Sequence, residues 1–194
     1  MLIAYEDKRF RSHAGIDPVA SLRAVGQLIT SGRVISGGST LSMQVARLLE
    51  EAPSGSLRAK LRQARLALAL ERRLTKDEIL ERYLSNAYFG DNMYGLRAAS
   101  LHYFYRHPEN LRPEQAAMLA GLLQAPSRLA PTRNPEAAAE RMRLVRISMV
   151  AAGYLTEEEA AAMPVPSLDV RTSNDLPTGT YFADWALPEA RQRS

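Results

Sequence analysis

Leu57-Arg-Ala-Lys-Leu-Arg-Gln-Ala-Arg-Leu-Ala-Leu-Ala-Leu-Glu-Arg-Arg73 decides the fold class. It is rich in Leu, Ala and Arg, all strong helix formers. Leu57, Leu61, Ala64 and Leu68 fall on one stripe at helical spacing, and Leu66 and Leu70 widen it. The same stretch carries Arg58, Lys60, Arg62, Arg65, Arg72 and Arg73, with Glu71 the only acid inside. Such a run is either a solvated face or, with so little counter-charge, a surface turned toward an anion.

Working outward, the flanks read as more helices. Ser56 follows a Pro-Ser-Gly break at residues 53–55 and is placed to cap the basic helix. Before it, Leu41-Ser-Met-Gln-Val-Ala-Arg-Leu-Leu49 is a helix entered from the glycine-serine turn at residues 33–40. Asp17-Pro18 is an N-cap with proline at the first helical position, opening a helix that ends near Gly32. On the other side, Thr75-Lys-Asp-Glu78 is a capping box. The helix it opens runs through Ile79, Leu80, Tyr83 and Leu84, and a polar, aromatic loop follows at residues 86–94. A helix of roughly 95–105 comes next. Pro113 starts a helix apolar nearly all round, which predicts the buried centre of the domain. Residues 125–131 form a proline-punctuated loop, Asn134-Pro135 opens a helix that stops at Gly153, and Thr156 with Glu159 caps a last short one. With no strand alternation and no repeat, the fold class is all-α. The pattern changes at Pro164: residues 1–163 read as one domain, and residues 164–194 as a linker ending in an aromatic patch at residues 180–185.

Composition sets bounds. The chain has 194 residues, 46% of them hydrophobic, enough for a single globular core. There is no cysteine, so disulfides and thiolate metal sites are excluded. The net charge is +4, and a pI near 9.6 favours an anionic partner. Aromatics are not interleaved with the basic helix, which argues against nucleic acid. There is no signal peptide and no run long enough to span a bilayer. The abrupt start reads as a piece cut from a longer protein.

Three places carry chemistry. In Ile3-Ala-Tyr-Glu-Asp-Lys-Arg-Phe-Arg-Ser-His-Ala-Gly15, Glu6 and Asp7 adjoin an apolar run. A carboxylate so flanked is one whose pKa can rise toward that of a general base. Gly37-Gly38-Ser39-Thr40 enters a helix, where free N–H groups, the helix dipole and two hydroxyls can hold a phosphate. Gln44 and Arg47 lie one and two turns in and can reach the same ligand. The turn lacks the Gly-Lys-Ser/Thr ending of a nucleotide loop. The basic helix is the third place. Asn86 and its neighbours suit local hydrogen bonding, and His102 and His107 fit no metal-ligand spacing.

These segments, in order, resemble the family 51 glycosyltransferase domain of class A penicillin-binding proteins and monofunctional peptidoglycan glycosyltransferases. The motifs are Glu-Asp-x-x-Phe-x-x-His-x-Gly at Glu6 to Gly15, Gly-Gly-Ser-Thr-x-x-x-Gln ending at Gln44, and Lys-Asp-Glu-Ile-Leu-Glu-x-Tyr-Leu ending at Leu84. Tyr-Phe-Gly ending at Gly90 and Gln-Ala-Pro-Ser starting at Gln124 complete the set.

The resemblance implies a lysozyme-like, two-lobed helical domain with a small membrane-associated jaw lobe, and polymerisation of lipid II into glycan strands. It implies a catalytic set of Glu6, Asp7, Lys60 and Gln63, with Glu6 the base, Asp7 an orienting neighbour, and Phe10 and His13 packing the loop. Gly38, Ser39, Thr40, Gln44, Arg47 and Lys60 match donor-site positions. Arg58 or Arg62 stands in for the arginine of the family's Arg-Lys-x-x-Glu, and Asn86 lies one place beyond the expected asparagine. Gln63 occupies the second glutamate's place and is limited to hydrogen bonding. Mg²⁺ or Mn²⁺ would ride on the substrate diphosphate, with no protein metal cage and no organic cofactor. The implied partners are lipid II, the growing strand, the inner-membrane surface and a C-terminal transpeptidase domain. The implied location is the extracytoplasmic face of the inner membrane, with the anchor elsewhere in the protein. The competing readings are a lysozyme-like hydrolase or lytic transglycosylase, and a weakly active scaffold that binds lipid II.

Overall fold

The computed structural model describes residues 1–31, 38–50 and 56–170. Gly37, the break at residues 53–55, the helix end near Gly32 and the aromatic patch at residues 180–185 lie outside them. Among the described residues there are ten α-helices and one 3-10 turn, Pro108–Asn110, with no strand beyond a single bridge between Tyr88 and Tyr94. The helices are α1 Leu2–Glu6, α2 Pro18–Ser31, α3 Leu41–Leu49, α4 Leu57–Glu71 and α5 Lys76–Asn86. Then come α6 Leu96–Phe104, α7 Pro113–Leu122, α8 Pro126–Leu129, α9 Pro135–Ala151 and α10 Glu157–Ala162. The domain is all-α.

Most helix starts follow from local chemistry. Asp17 Oδ1 accepts from the Val19 and Ala20 amides, Thr40 from Met43, and Ser56 from Ala59. Thr75 with Glu78, and Thr156 with Glu159, form full capping boxes. Asn134 is the exception. It sits at the N-cap of α9, yet its side chain makes no cap; its amide turns back to donate to the Arg128 carbonyl of α8 at 2.9 Å. The loop expected at residues 125–131 contains that short helix.

Two packing groups form. α3 packs on α4 and α5, while α7 packs on α9, with α1, α8 and α10 also on α9; α5 and α6 connect the groups. From Ala117 to Leu122 every residue of α7 is buried, as its all-round apolarity predicts. The stretch from Met163 to Val170 runs back over the domain: Met163 and Leu168 pack on the core and the Asp169 amide donates to the Tyr103 carbonyl at 2.8 Å.

On α4 the residues that face inward include small ones: Ala59 and Ala67 are buried, while of the leucines Leu57 is 77% and Leu61 65% exposed and Leu70 packs on the core. The reason is close approach. Gly15, at φ +102°, lies so near the α4 backbone that a Cβ would come within 2.9 Å of the Ala67 carbonyl. Small side chains on that face admit the loop and leave Leu57 and Leu61 outside. Val19, Leu22, Leu48, Leu49 and Leu68 are exposed too, so α2, α3 and α4 together carry an apolar exterior.

Candidate active site

Glu6 is the last residue of α1, and Asp7 begins the loop that leads to α2. The two carboxylates meet opposite fates. Asp7 is 6% exposed. It accepts from the Leu41 amide at 2.9 Å and from His13 Nε2 at 3.0 Å. His13 Nδ1 accepts from the Gly15 amide at 3.1 Å, so the ring's proton sits on Nε2 and faces Asp7. The rest of the loop is held as firmly. Thr40 Oγ1 donates to the Gly15 carbonyl at 2.6 Å, and Lys76 Nζ donates to the His13 carbonyl at 2.6 Å. Lys76 also lies over the Phe10 ring, 4.6 Å from its centroid, and pairs with Glu71, which accepts from Ser42.

At the start of α3 the Leu41 amide points at the Asp7 carboxylate and the Met43 amide at Thr40 Oγ1, so these two donors of the expected anion-binding turn are already engaged. Thr40, 2% exposed, has its hydroxyl engaged both as donor and as acceptor. Gly38 is buried, where an added Cβ would come within 3.4 Å of Ala20 and Ala24 of α2, and only Ser39 of this trio keeps partial exposure.

Glu6 faces the other way. Gln44 Nε2 of α3 donates to Oε2 at 3.2 Å, and Oε1 has no hydrogen-bond partner although it is buried. Burial raises the Glu6 pKa above the ordinary glutamate value; the amides of Gln44 and Gln124 and the charge of Arg141 pull it partly back, and Asp7 adds to the rise. Behind Gln44, the Tyr83 hydroxyl of α5 donates to Oε1 of the amide at 2.9 Å. Arg141 of α9, whose charge acts on Glu6, donates to Gln124 Oε1 at 2.8 Å and to the Tyr5 hydroxyl at 3.2 Å. Tyr83, Gln124 and Arg141 thus enclose Glu6 with groups whose roles the sequence did not single out, although Gln124 heads the Gln-Ala-Pro-Ser motif.

The remaining expected site residues lie on exposed helix surfaces. Arg47 on α3 and Arg58 and Lys60 on α4 are exposed, and Gln63 is half-buried. Arg47 is near enough to Tyr83 to favour its ionised form, against the larger effects of burial and of Glu6, which raise the phenol's pKa. Arg62 donates to Glu50 at 3.1 Å. Asn86 Nδ2 donates to the Arg82 carbonyl of its own helix at 2.8 Å, a local bond of the kind its loop predicted.

The domain thus buries one carboxylate whose pKa is raised and carries exposed cations on α3 and α4. The chain belongs to the transglycosylase family, whose model matches residues 1–150. Among relatives, penicillin-binding protein 1C of Escherichia coli strain K12 is 49% identical over 158 residues, 81% of this chain and 20% of that protein. Penicillin-binding protein 1A of Aquifex aeolicus strain VF5 is 38% identical over 182 residues, 94% of this chain and 25% of that protein. Of solved structures, penicillin-binding protein 1A from Haemophilus influenzae aligns with a TM-score of 0.48 at 23% identity, over 79% of this chain and 20% of that one. The chain therefore spans about a fifth to a quarter of the length of these relatives. Among the described residues no helix is long and apolar enough to cross a membrane.

Proposed function

We propose that this domain polymerises lipid II by inverting glycosyl transfer, with Glu6 as general base. Glu6 takes the proton from the 4-hydroxyl of the acceptor GlcNAc. The freed oxygen attacks C1 of the donor MurNAc, the C1–O bond to phosphate breaks, and undecaprenyl pyrophosphate leaves with the bond's electron pair. The unpartnered Oε1 is the atom available for that proton. Negative charge grows on the departing diphosphate, and Arg47, Arg58 and Lys60 are the exposed cations that meet it. Ser39 can add a hydroxyl; Gln63 can offer only hydrogen bonds.

The observation that carries the reading is the asymmetry of the two carboxylates. A glycosidase normally needs two working carboxyl groups flanking the bond. Here Asp7 is sealed against Leu41 and His13, and Gln63 replaces the second family glutamate. One base suffices when the donor brings its own good leaving group.

Among the described residues no group of three or more His, Asp or Glu is placed to hold an ion. In this reading a divalent cation would arrive as cargo on the substrate diphosphate, held by its oxygens. The exposed Leu22, Leu48, Leu49, Leu57, Leu61 and Leu68 give α2–α4 the character of the membrane-seated lobe, the natural position for reaching a lipid-linked donor. In the longer protein, the same reading places the domain at the extracytoplasmic membrane surface, joined by the linker to a transpeptidase domain.

Incubation with lipid II and, separately, with finished glycan tests this. Strand growth is expected, and its rate should fall as pH drops through the raised Glu6 value, because only the ionised carboxylate accepts a proton. Release of muropeptides from finished glycan without strand growth would overturn it.

A further inference from the structure

We propose that Tyr83 is a positioning residue for the transfer reaction: its hydroxyl fixes which end of the Gln44 amide faces Glu6. The inference rests on Glu6 being the base of the transfer. Gln44 lies between two groups of opposite demand. Its carbonyl end accepts from Tyr83 at 2.9 Å and its NH2 end donates to Glu6 at 3.2 Å. Were the amide reversed, its oxygen would confront an ionised carboxylate, acceptor against acceptor, and its NH2 would face the hydroxyl. That reversed arrangement suits a protonated Glu6, which can donate to the amide oxygen. The Tyr83 hydroxyl could accept from the reversed NH2, but its own proton, buried with Tyr83, would then lose the acceptor it has in Gln44; Tyr83 therefore favours the arrangement that suits the ionised base.

Tyr83 is built for a fixed donor role. It is 3% exposed, in the core cluster of α5. Burial and the nearby Glu6 keep its phenol protonated, so the donor is present at every pH at which the enzyme works. The charged and titratable groups facing this relay are few. Asp7 adjoins Glu6 on its own chain, Arg141 approaches from α9 beside Tyr5 of α1 and Gln124, and Arg47 approaches Tyr83 from α3. Asp7 is occupied by its own hydrogen bonds, and the hydrogen bonds of Arg141 go to Gln124 and Tyr5. The amide is thus held at both ends, by Tyr83 at its oxygen and by the ionised Glu6 at its NH2, and of the two only the Tyr83 contact persists when Glu6 is protonated.

Tyr83→Phe keeps the ring and deletes the donor. The test is the pH dependence of lipid II polymerisation by wild type and Tyr83→Phe, with thermal unfolding of both. In the variant kcat at pH 7 should fall about tenfold, with KM for lipid II little changed. The deficit should narrow as pH rises, because the acid limb of the profile has moved to higher pH. An acid limb unmoved by Tyr83→Phe, or a uniform loss at all pH values, would overturn the positioning role. Failure of the underlying reading looks different: wild type would make no strands, or Glu6→Gln would make them as fast as wild type.

Discussion

Glu6→Gln lowers lipid II polymerisation by about 10²–10⁴-fold, the contribution of a positioned general base, without lowering stability. Glutamine is close in shape and can still accept from Gln44, so the cleft keeps its form. What disappears is the proton acceptor. The stability half of the expectation follows from linkage. Burial holds the Glu6 pKa above its unfolded value. Its favourable contribution to folding is therefore fully present below the unfolded value, where the group is protonated, and is lost as pH rises through the folded one. At neutral pH the fold carries a desolvated charge, which the neutral amide removes. Polymerisation rates with fluorescent lipid II and melting temperatures at neutral pH check both halves. A Glu6→Gln enzyme of wild-type speed sinks the mechanism; a severe drop in melting temperature would assign the loss to the fold instead.

Asp7→Ala has the opposite profile: it destabilises first and inactivates as a result. The substitution strands the Leu41 amide and the His13 Nε2–H in a buried site. Two unsatisfied donors cost about 3 kcal/mol together, a large share of a marginal stability. Denaturant unfolding of Asp7→Ala and Asp7→Asn reads this directly, with Asn losing less because it keeps one acceptor oxygen. Equal stability of Asp7→Ala and wild type would show that Asp7 does not hold the loop to α3.

What the sequence discloses depends on how local the chemistry is. Asp17, Ser56, Thr75 with Glu78, and Thr156 with Glu159 bond within three residues of themselves, so the helix starts could be read in order. Asn134 misleads because a carbonyl six residues earlier competes for its amide. The face of α4 was legible only in part. Periodicity identifies a leucine stripe but not what will press against it, and Gly15 presses on Ala67 instead. The site divides the same way. Glu6 is visible as a carboxylate beside an apolar run, and Gln44 as a polar residue at helical spacing from the glycine turn. Tyr83 reads as an ordinary core aromatic, because its partner lies 39 residues away, and Arg141 meets Tyr5 across 136. The seat of Asp7 on Leu41 spans 34 residues, so the helix terminus looked vacant in the sequence.

That occupied terminus divides the site between interior and surface. With Asp7 seated at the start of α3, the proposed mechanism leaves attraction for a diphosphate to Arg47, Arg58 and Lys60, whose side chains stand in solvent. Counter-ions screen such charges over about 8 Å at physiological ionic strength. Glu6, shielded from water, lies beyond their reach. In the proposed mechanism ionic strength would thus separate capture from chemistry: salt is expected to raise KM for the donor and to leave kcat unchanged. The domain's tolerance of salt is a property of its surface, and its tolerance of acid a property of its interior.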